Sequence, residues 1–175
     1  MSINFIKETN TFYLDGKGVT YAFFVNNFGY LEHLYFGNTI GHDDLTYIRG
    51  RGCGSRDATV PGQDVGGINS YFPSELAFFG TGDYREPAVE LLNPAGDRLT
   101  ELLYDSHEIL SEKPKINGMP SLRGGETLVV HLRDKVTAFA CDLYYTVYDD
   151  TDVIARRAVY INGGQERVTL RRAYS

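Results

Sequence analysis

The sequence predicts an all-β protein whose antiparallel strands pack as a sandwich. Apolar residues recur with period two over most of the chain. Turn residues break that pattern at intervals of about 8–12 residues, the rhythm of a sandwich. No segment carries a sustained helical stripe bounded by caps. The 175 residues fit a single domain, 1–175, and 42% hydrophobic with 23% charged residues is enough for a sizeable core.

The elements follow in order. Val19-Thr20-Tyr21-Ala22-Phe23-Phe24-Val25 is aromatic and β-branched and reads as a strand. Asn26-Asn27-Phe28-Gly29 supplies a turn, and 30–36 returns as a second strand closed by Gly37-Asn38, so the pair reads as a hairpin. Residues 88–92 form a strand, Asn93-Pro94-Ala95-Gly96-Asp97 a turn, and 99–104 the returning strand. In 126–133, Leu128, Val130 and Leu132 face one way and Val129, His131 and Arg133 the other. In 139–148, Phe139, Cys141, Leu143, Tyr145 and Val147 share a face. Asp149-Asp150-Thr151-Asp152 turns into a strand over 153–161, and Asn162-Gly163-Gly164 into a last strand over 166–172. The stretch 41–72, with six glycines from Gly50 to Gly67, resists the pattern. A long irregular segment in a compact domain is usually functional or disordered.

Composition excludes several classes. With 17 Lys+Arg against 23 Asp+Glu the net charge is −6, so no basic face is available for nucleic acid. No apolar run approaches the ~20 residues that span a bilayer, and the start Met1-Ser2-Ile3-Asn4-Phe5 does not read as a signal peptide. Two cysteines, Cys53 and Cys141, make no disulfide framework or metal knuckle, which suits the cytoplasm. No cofactor and no metal are expected.

Candidate sites are sparse. The glycine clusters Gly50-Arg51-Gly52-Cys53-Gly54 and Gly80-Thr81-Gly82-Asp83 lack the strand-to-helix setting of a phosphate loop and read as turns. His33, His42, His107 and His131 lie in no metal-binding spacing and read as surface or satisfied core histidines. Asp149, Asp150 and Asp152 lack the remaining donors of a calcium loop and read as a hairpin turn. Cys53 in its Gly/Arg setting reads as an idle surface thiol. A glycosidase needs two carboxylates about 5–10 Å apart. Asp64, Glu75, Asp83, Glu86 and Glu90 are the candidates, but spacing on strands and loops fixes no pair. Asp83, Arg85 and Glu86 read as a buried or half-buried ionic corner ahead of a strand that Pro87 begins.

Several stretches together resemble a known family. Tyr30-Leu31-Glu32-His33-Leu34-Tyr35-Phe36-Gly37, Gly80-Thr81-Gly82-Asp83-Tyr84-Arg85-Glu86-Pro87-Ala88, Ser106-His107-Glu108-Ile109, Lys113-Pro114 and Gly118-Met119-Pro120-Ser121 are similar, in order, to motifs of bacterial α-galactosidases of glycoside hydrolase family 36. So are Glu126-Thr127-Leu128, Asp152-Val153-Ile154-Ala155-Arg156, Ile161-Asn162-Gly163-Gly164 and Arg171-Arg172-Ala173-Tyr174-Ser175. The resemblance implies a galactose-mutarotase-like β-supersandwich, truncated at its C-terminal end, that precedes a (β/α)₈ barrel. In that family the nucleophile and acid/base are Asp residues of the barrel, one of them in a Lys-Trp-Asp motif. This sequence has no Trp and no alternation of strands and helices, so the catalytic residues are expected to be absent. The reaction implied for the longer protein is double displacement at an α-galactosyl carbon.

The resemblance also implies partners: the catalytic barrel of the same chain, further copies in a tetramer, and a galactoside substrate. A loop of the N-terminal domain reaches a neighbouring subunit's site in that family, and by position it falls in 41–72. There Asp64 and Glu75 match the family pattern, Val65 stands where the family has a sugar-contacting Arg, and Arg56 is the substitute. Asp64 and Arg56 are thus the substrate-binding candidates. Two other readings stand beside this one. One is a free-standing carbohydrate-binding module using Tyr and Phe platforms. The other is an aldose-1-epimerase-like enzyme pairing His107 or His131 with Glu90 or Glu126.

Overall fold

The computed structural model describes residues 2–49, 73–80, 85–120, 122, 124–148 and 150–174. The first sheet is built from consecutive hairpins. It contains β1 (Ile3–Ile6), β2 (Thr11–Asp15), β3 (Val19–Val25) and β4 (Leu31–Asn38), in the order β1-β2-β3-β4 and antiparallel throughout. A bulge between Ala22 and Phe23 shifts the β3–β4 register, and bulges of this kind sharpen local twist. A single 3-10 turn, Thr46–Ile48, follows.

The second sheet repeats that construction with β6 (Leu102–Leu110), β7 (Glu126–Asp134), β8 (Phe139–Val147) and β9 (Ile154–Asn162), in sequence order. Between the two sheets in sequence lies β5 (Val89–Leu92), which pairs antiparallel with β10 (Thr169–Ala173). Here the structure corrects the sequence reading. The turn at Asn93 forms, since Asn93 accepts from Gly96 N–H and donates to Asp97 O, each at 2.9 Å. Residues 98–101 that follow are not a strand, and β6 pairs with β7 instead of returning along β5.

The core lies between the two four-stranded sheets. Ile3, Phe12, Leu14, Phe23, Val25 and Leu31 from one meet Leu128, Val130, Leu132, Cys141, Leu143, Tyr145 and Val147 from the other. The Phe23 ring stacks on Phe12 at 4.9 Å and on Tyr145 at 5.0 Å, joining the sheets. The alternation read in 126–133 and 139–148 is the pattern of burial toward this core. The outer face of the first sheet is covered as well, by Leu45 over Tyr13 and Ala22. At one end the turns of the two sheets are stitched: Lys17 N–H donates to Thr151 O at 3.0 Å and Gly18 N–H to Asp152 Oδ1 at 2.6 Å. Asp152 lies in the turn between β8 and β9, and its carboxylate is engaged by the turn between β2 and β3.

Gly125, just before β7, has φ +88°, and a Cβ there would lie 2.8 Å from both Thr146 Cγ2 and Val147 O. Strain of that kind costs about 1–3 kcal/mol. The Gly125→Ala variant is expected to show a lower urea midpoint by that amount, and an unchanged midpoint would refute the reading.

Candidate functional site

Arg56, Asp64, Asp83, Cys53 and Asp149 lie outside the described residues. Arg85 and Glu86 are described, and both are exposed where a buried or half-buried corner is expected. The Glu86 carboxylate is bonded to Arg172 of β10, so it ties the approach to β5 onto that strand's partner. Pro87 sits two residues ahead of β5, where its missing N–H costs no ladder bond.

The four histidines occupy separate surroundings. His42 Nε2 is 2.6 Å from Asp15 Oδ2, with its ring on Tyr13. His107 Nδ1 is 2.7 Å from Tyr104 Oη, and its ring lies against Phe5 and Phe12. Burial, with the charge of His131 as a smaller cause, pushes its pKa down. His131 projects from the other face of the second sheet. Its Nδ1 is 2.8 Å from Asp142 Oδ1, which also accepts from Arg133 Nη1 at 3.0 Å. Glu126 Oε2 accepts from Ile3 N–H at 2.8 Å, and Glu90 Oε1 accepts from Arg98 Nη1 at 2.8 Å. Neither histidine therefore meets Glu90 or Glu126, and the epimerase-like pairing does not assemble. Likewise Glu75, Glu86 and Glu90 each hold different partners and form no carboxylate pair. Among the described residues no group of His, Cys, Asp and Glu is placed to hold a metal ion.

One cluster does converge, and it centres on Glu75. Residues Pro73 to Leu76 run along the free edge of β4: His33 N–H donates to Pro73 O at 2.8 Å and Glu75 N–H to Leu31 O at 3.0 Å. Leu76 and Phe78 anchor the segment in the core. This path turns the Glu75 side chain inward between the sheets, where it is 2% exposed. Tyr21 Oη of β3 donates to Oε1 at 2.5 Å, and Tyr145 Oη of β8 donates to Oε2 at 2.7 Å. His33 Nδ1 of β4 lies 3.4 Å from Oε1. Arg156 of β9 donates to the Glu75 carbonyl and lays its guanidinium 5.4 Å over the Tyr145 ring. Four strands of two sheets thus close on one residue, three of them on its carboxylate.

The electrostatics follow from that enclosure. Burial alone would raise the Glu75 pKa, but the hydrogen bonds from His33, Tyr21 and Tyr145 and the charge of Arg156 together hold it below the usual carboxylate range. Burial first, and the Glu75 charge second, push Tyr21 and Tyr145 well above the usual phenol range, so both hydroxyls stay donors. A carboxylate fixed in its ionised form with both oxygens engaged is unsuited to proton transfer. Its chemistry is that of a clamp.

The clamp sits just after 50–72. Just before that segment, Arg49 is pinned too: Nη2 donates to Thr9 O at 2.5 Å and Thr11 Oγ1 at 3.1 Å, and the guanidinium stacks 4.0 Å over Phe24. Arg49 before the stretch and Glu75 shortly after it are therefore both held by the sandwich. Of the clamp, the sequence reading marks Glu75 by its family motif and His33 as a satisfied histidine, but not Tyr21, Tyr145 or Arg156. The available signal is Tyr21 and Tyr145 themselves, inward-facing phenols whose hydroxyls require buried acceptors.

Comparison with known proteins bears on the same architecture. The glycosyl hydrolase family 36 N-terminal domain matches residues 29–175. A probable α-galactosidase C of Aspergillus flavus is 35% identical over 170 residues, covering 94% of this chain and 21% of that protein. The α-galactosidase Mel36A of Lactobacillus acidophilus is 33% identical, covering 99% of this chain and 24% of that protein. Among solved structures, the family 36 α-galactosidase AgaB of Geobacillus stearothermophilus superposes with a TM-score of 0.90 at 29% identity, over 99% of this chain and 24% of its own. The α-galactosidase of Lactobacillus brevis gives 0.89 at 28% identity, over 97% and 24%. The chain thus spans between a fifth and a quarter of the length of these relatives. Its sandwich, and the sequence over most of its length, place this chain in glycoside hydrolase family 36, as an N-terminal domain of that family.

Proposed function

We propose that this chain is the non-catalytic part of a retaining α-galactosidase that removes terminal α-galactosyl residues from galactosides. Its role is to pack on a catalytic barrel, help build an oligomer and wall the sugar site. One observation carries the reading: almost the whole chain aligns with one region of proteins named as α-galactosidases, and that region is about a quarter of them. The local chemistry supports it. Glu75, Glu86 and Glu90 are each engaged by separate cationic or phenolic partners, which suits scaffolding. Arg49 and Glu75 are fixed on either side of 50–72, and in this reading Arg56 and Asp64 are that segment's contacts to sugar.

The test uses an aryl α-galactoside. The purified chain is expected to show no turnover, and the longer protein carrying it to show saturable hydrolysis with retention of configuration. Saturable turnover by the chain alone would overturn the non-catalytic role. An inactive longer protein would overturn the α-galactosidase assignment. Calorimetry of the chain with galactosides separates the binding-module reading, which requires a measurable heat.

A further inference from the structure

Three of the four histidines sit on a carboxylate. His33 lies against Glu75, His42 against Asp15 and His131 against Asp142, at 3.4, 2.6 and 2.8 Å. His107 is the exception among the described residues. It stands across the β6–β7 ladder from Val130, a core residue, so it faces the first sheet. What meets it there is two rings, Phe5 of β1 at 4.4 Å and Phe12 of β2 at 4.9 Å between centroids. Phe5 and Phe12 are themselves 4.6 Å apart, so each of the three rings touches the other two. On its own strand the partner is a phenol, Tyr104 Oη, 2.7 Å from Nδ1. Burial first, and the Asp105 charge second, push the Tyr104 pKa up, so that hydroxyl stays neutral and offers no counter-charge. From β7 the opposite residue is Val130, and the charge that acts is the like charge of His131.

The same imidazole seats β1. That strand joins the first sheet through β2. It meets the second sheet through Ile3 N–H, which donates to Glu126 Oε2 of β7 at 2.8 Å, and through Phe5 on His107. A neutral imidazole suits that company. An imidazolium would give up water without gaining a carboxylate. Phenyl rings attract a cation only weakly at such a site, and burial, with the charge of His131 second, disfavours the protonated ring.

We propose that His107 makes the seat of β1 acid-sensitive: a proton on its ring leaves a cation without a counter-ion between the sheets, and Ile3–Ile6 leaves the sandwich before the rest of the fold loosens. The sign follows from linkage. Above about pH 6.5, the ordinary histidine value, the ring is neutral whether β1 is seated or open, and nothing is lost. As pH falls from there through the folded value, the open form takes the proton first and the seat weakens. The device lies wholly within these two sheets and does not depend on the activity proposed above.

Two measurements on the purified chain test it, with His107→Phe as the variant that keeps a ring and removes the proton. Proton NMR follows the histidine rings against pH, and hydrogen exchange follows the amides of Ile3–Ile6. In wild type His107 is expected to titrate below about pH 6.5. Protection over Ile3–Ile6, corrected for intrinsic exchange rates, is expected to fall severalfold between about pH 7.5 and about pH 5.5 while that of β8 holds. In His107→Phe it is expected to stay level over the same range. A His107 ring that titrates at or above about pH 6.5, or wild-type protection over Ile3–Ile6 that holds in acid, would overturn the proposal. So would a fall that survives in His107→Phe, which would move the effect to another group, Glu126 first. The wild-type measurements decide the matter even where the variant does not fold.

Discussion

Replacing Glu75 by alanine is expected to lower the unfolding free energy by about 3–5 kcal/mol, the range for breaking a buried charged network by removing one member. The cause is what remains. Tyr21 and Tyr145 would hold their hydroxyls between the sheets without the acceptor that both now share, and each stranded donor costs about 1–3 kcal/mol. Glu75→Gln keeps the volume but offers one carbonyl oxygen to two phenols, so its loss is expected to be smaller. The two variants also differ from wild type in acid. Because the folded state holds the Glu75 pKa below the usual carboxylate range, the unfolded chain takes up this proton first as pH falls. The resulting stability is full above about pH 4.3, the unperturbed glutamate value, and is lost as pH drops through the folded value. Glu75→Gln should remove that part of the acid slope. Urea unfolding followed by far-ultraviolet circular dichroism, at neutral pH and in acid, measures both effects. A Glu75→Ala midpoint equal to wild type would dismiss the clamp.

Phe23→Ala is expected to cost a similar amount, about 3–5 kcal/mol, for an unrelated reason. Phe23 is 0% exposed and touches rings on both sides of the core, Phe12 within its own sheet and Tyr145 from the other. Alanine would leave a void at the seam that neither sheet can close without abandoning its own ladder. The loss should appear as a lower urea midpoint at unchanged slope. Val136, 94% exposed in the turn between β7 and β8, serves as the control, and its alanine variant should be neutral. A Phe23→Ala loss below about 1 kcal/mol would mean that the sheets are not packed through this ring.

Much of the architecture is readable wherever large apolar core residues alternate with small or polar ones, as Ala140, Asp142 and Thr146 do on the other face of β8. In 139–148 the inward residues run Phe139, Cys141, Leu143, Tyr145 and Val147, and all of them lie in the core. β2 escapes that reading because Phe12, Tyr13 and Leu14 are all buried. Leu45 covers the face that would otherwise be polar, so period two disappears into a short apolar run. The partner of β5 escapes it for another reason. Asn93 to Asp97 carries the chemistry of a reversal, but a turn fixes only where the chain changes direction. The strand that follows can pair elsewhere, and β6 does. The clamp was the least legible feature. Its members come from four strands and a connecting segment, Tyr21 and Tyr145 being 124 residues apart by number (145 − 21), and no spacing rule spans that gap. The family motif marked Glu75, and only the fold shows that its carboxylate faces inward.

The pairing of Val89 with Ala173 also has a bearing on how the molecule comes into being. The four strands of the first sheet are joined in sequence order, and the second is likewise a run of neighbours. β5 is made between them and must wait for β10, until all of the second sheet has been synthesised. Val89 and Leu91, both fully enclosed in the finished fold, therefore have no ladder partner until Thr169–Ala173 is made. Of the described strands, that short one is the one whose backbone is left longest without its ladder partner.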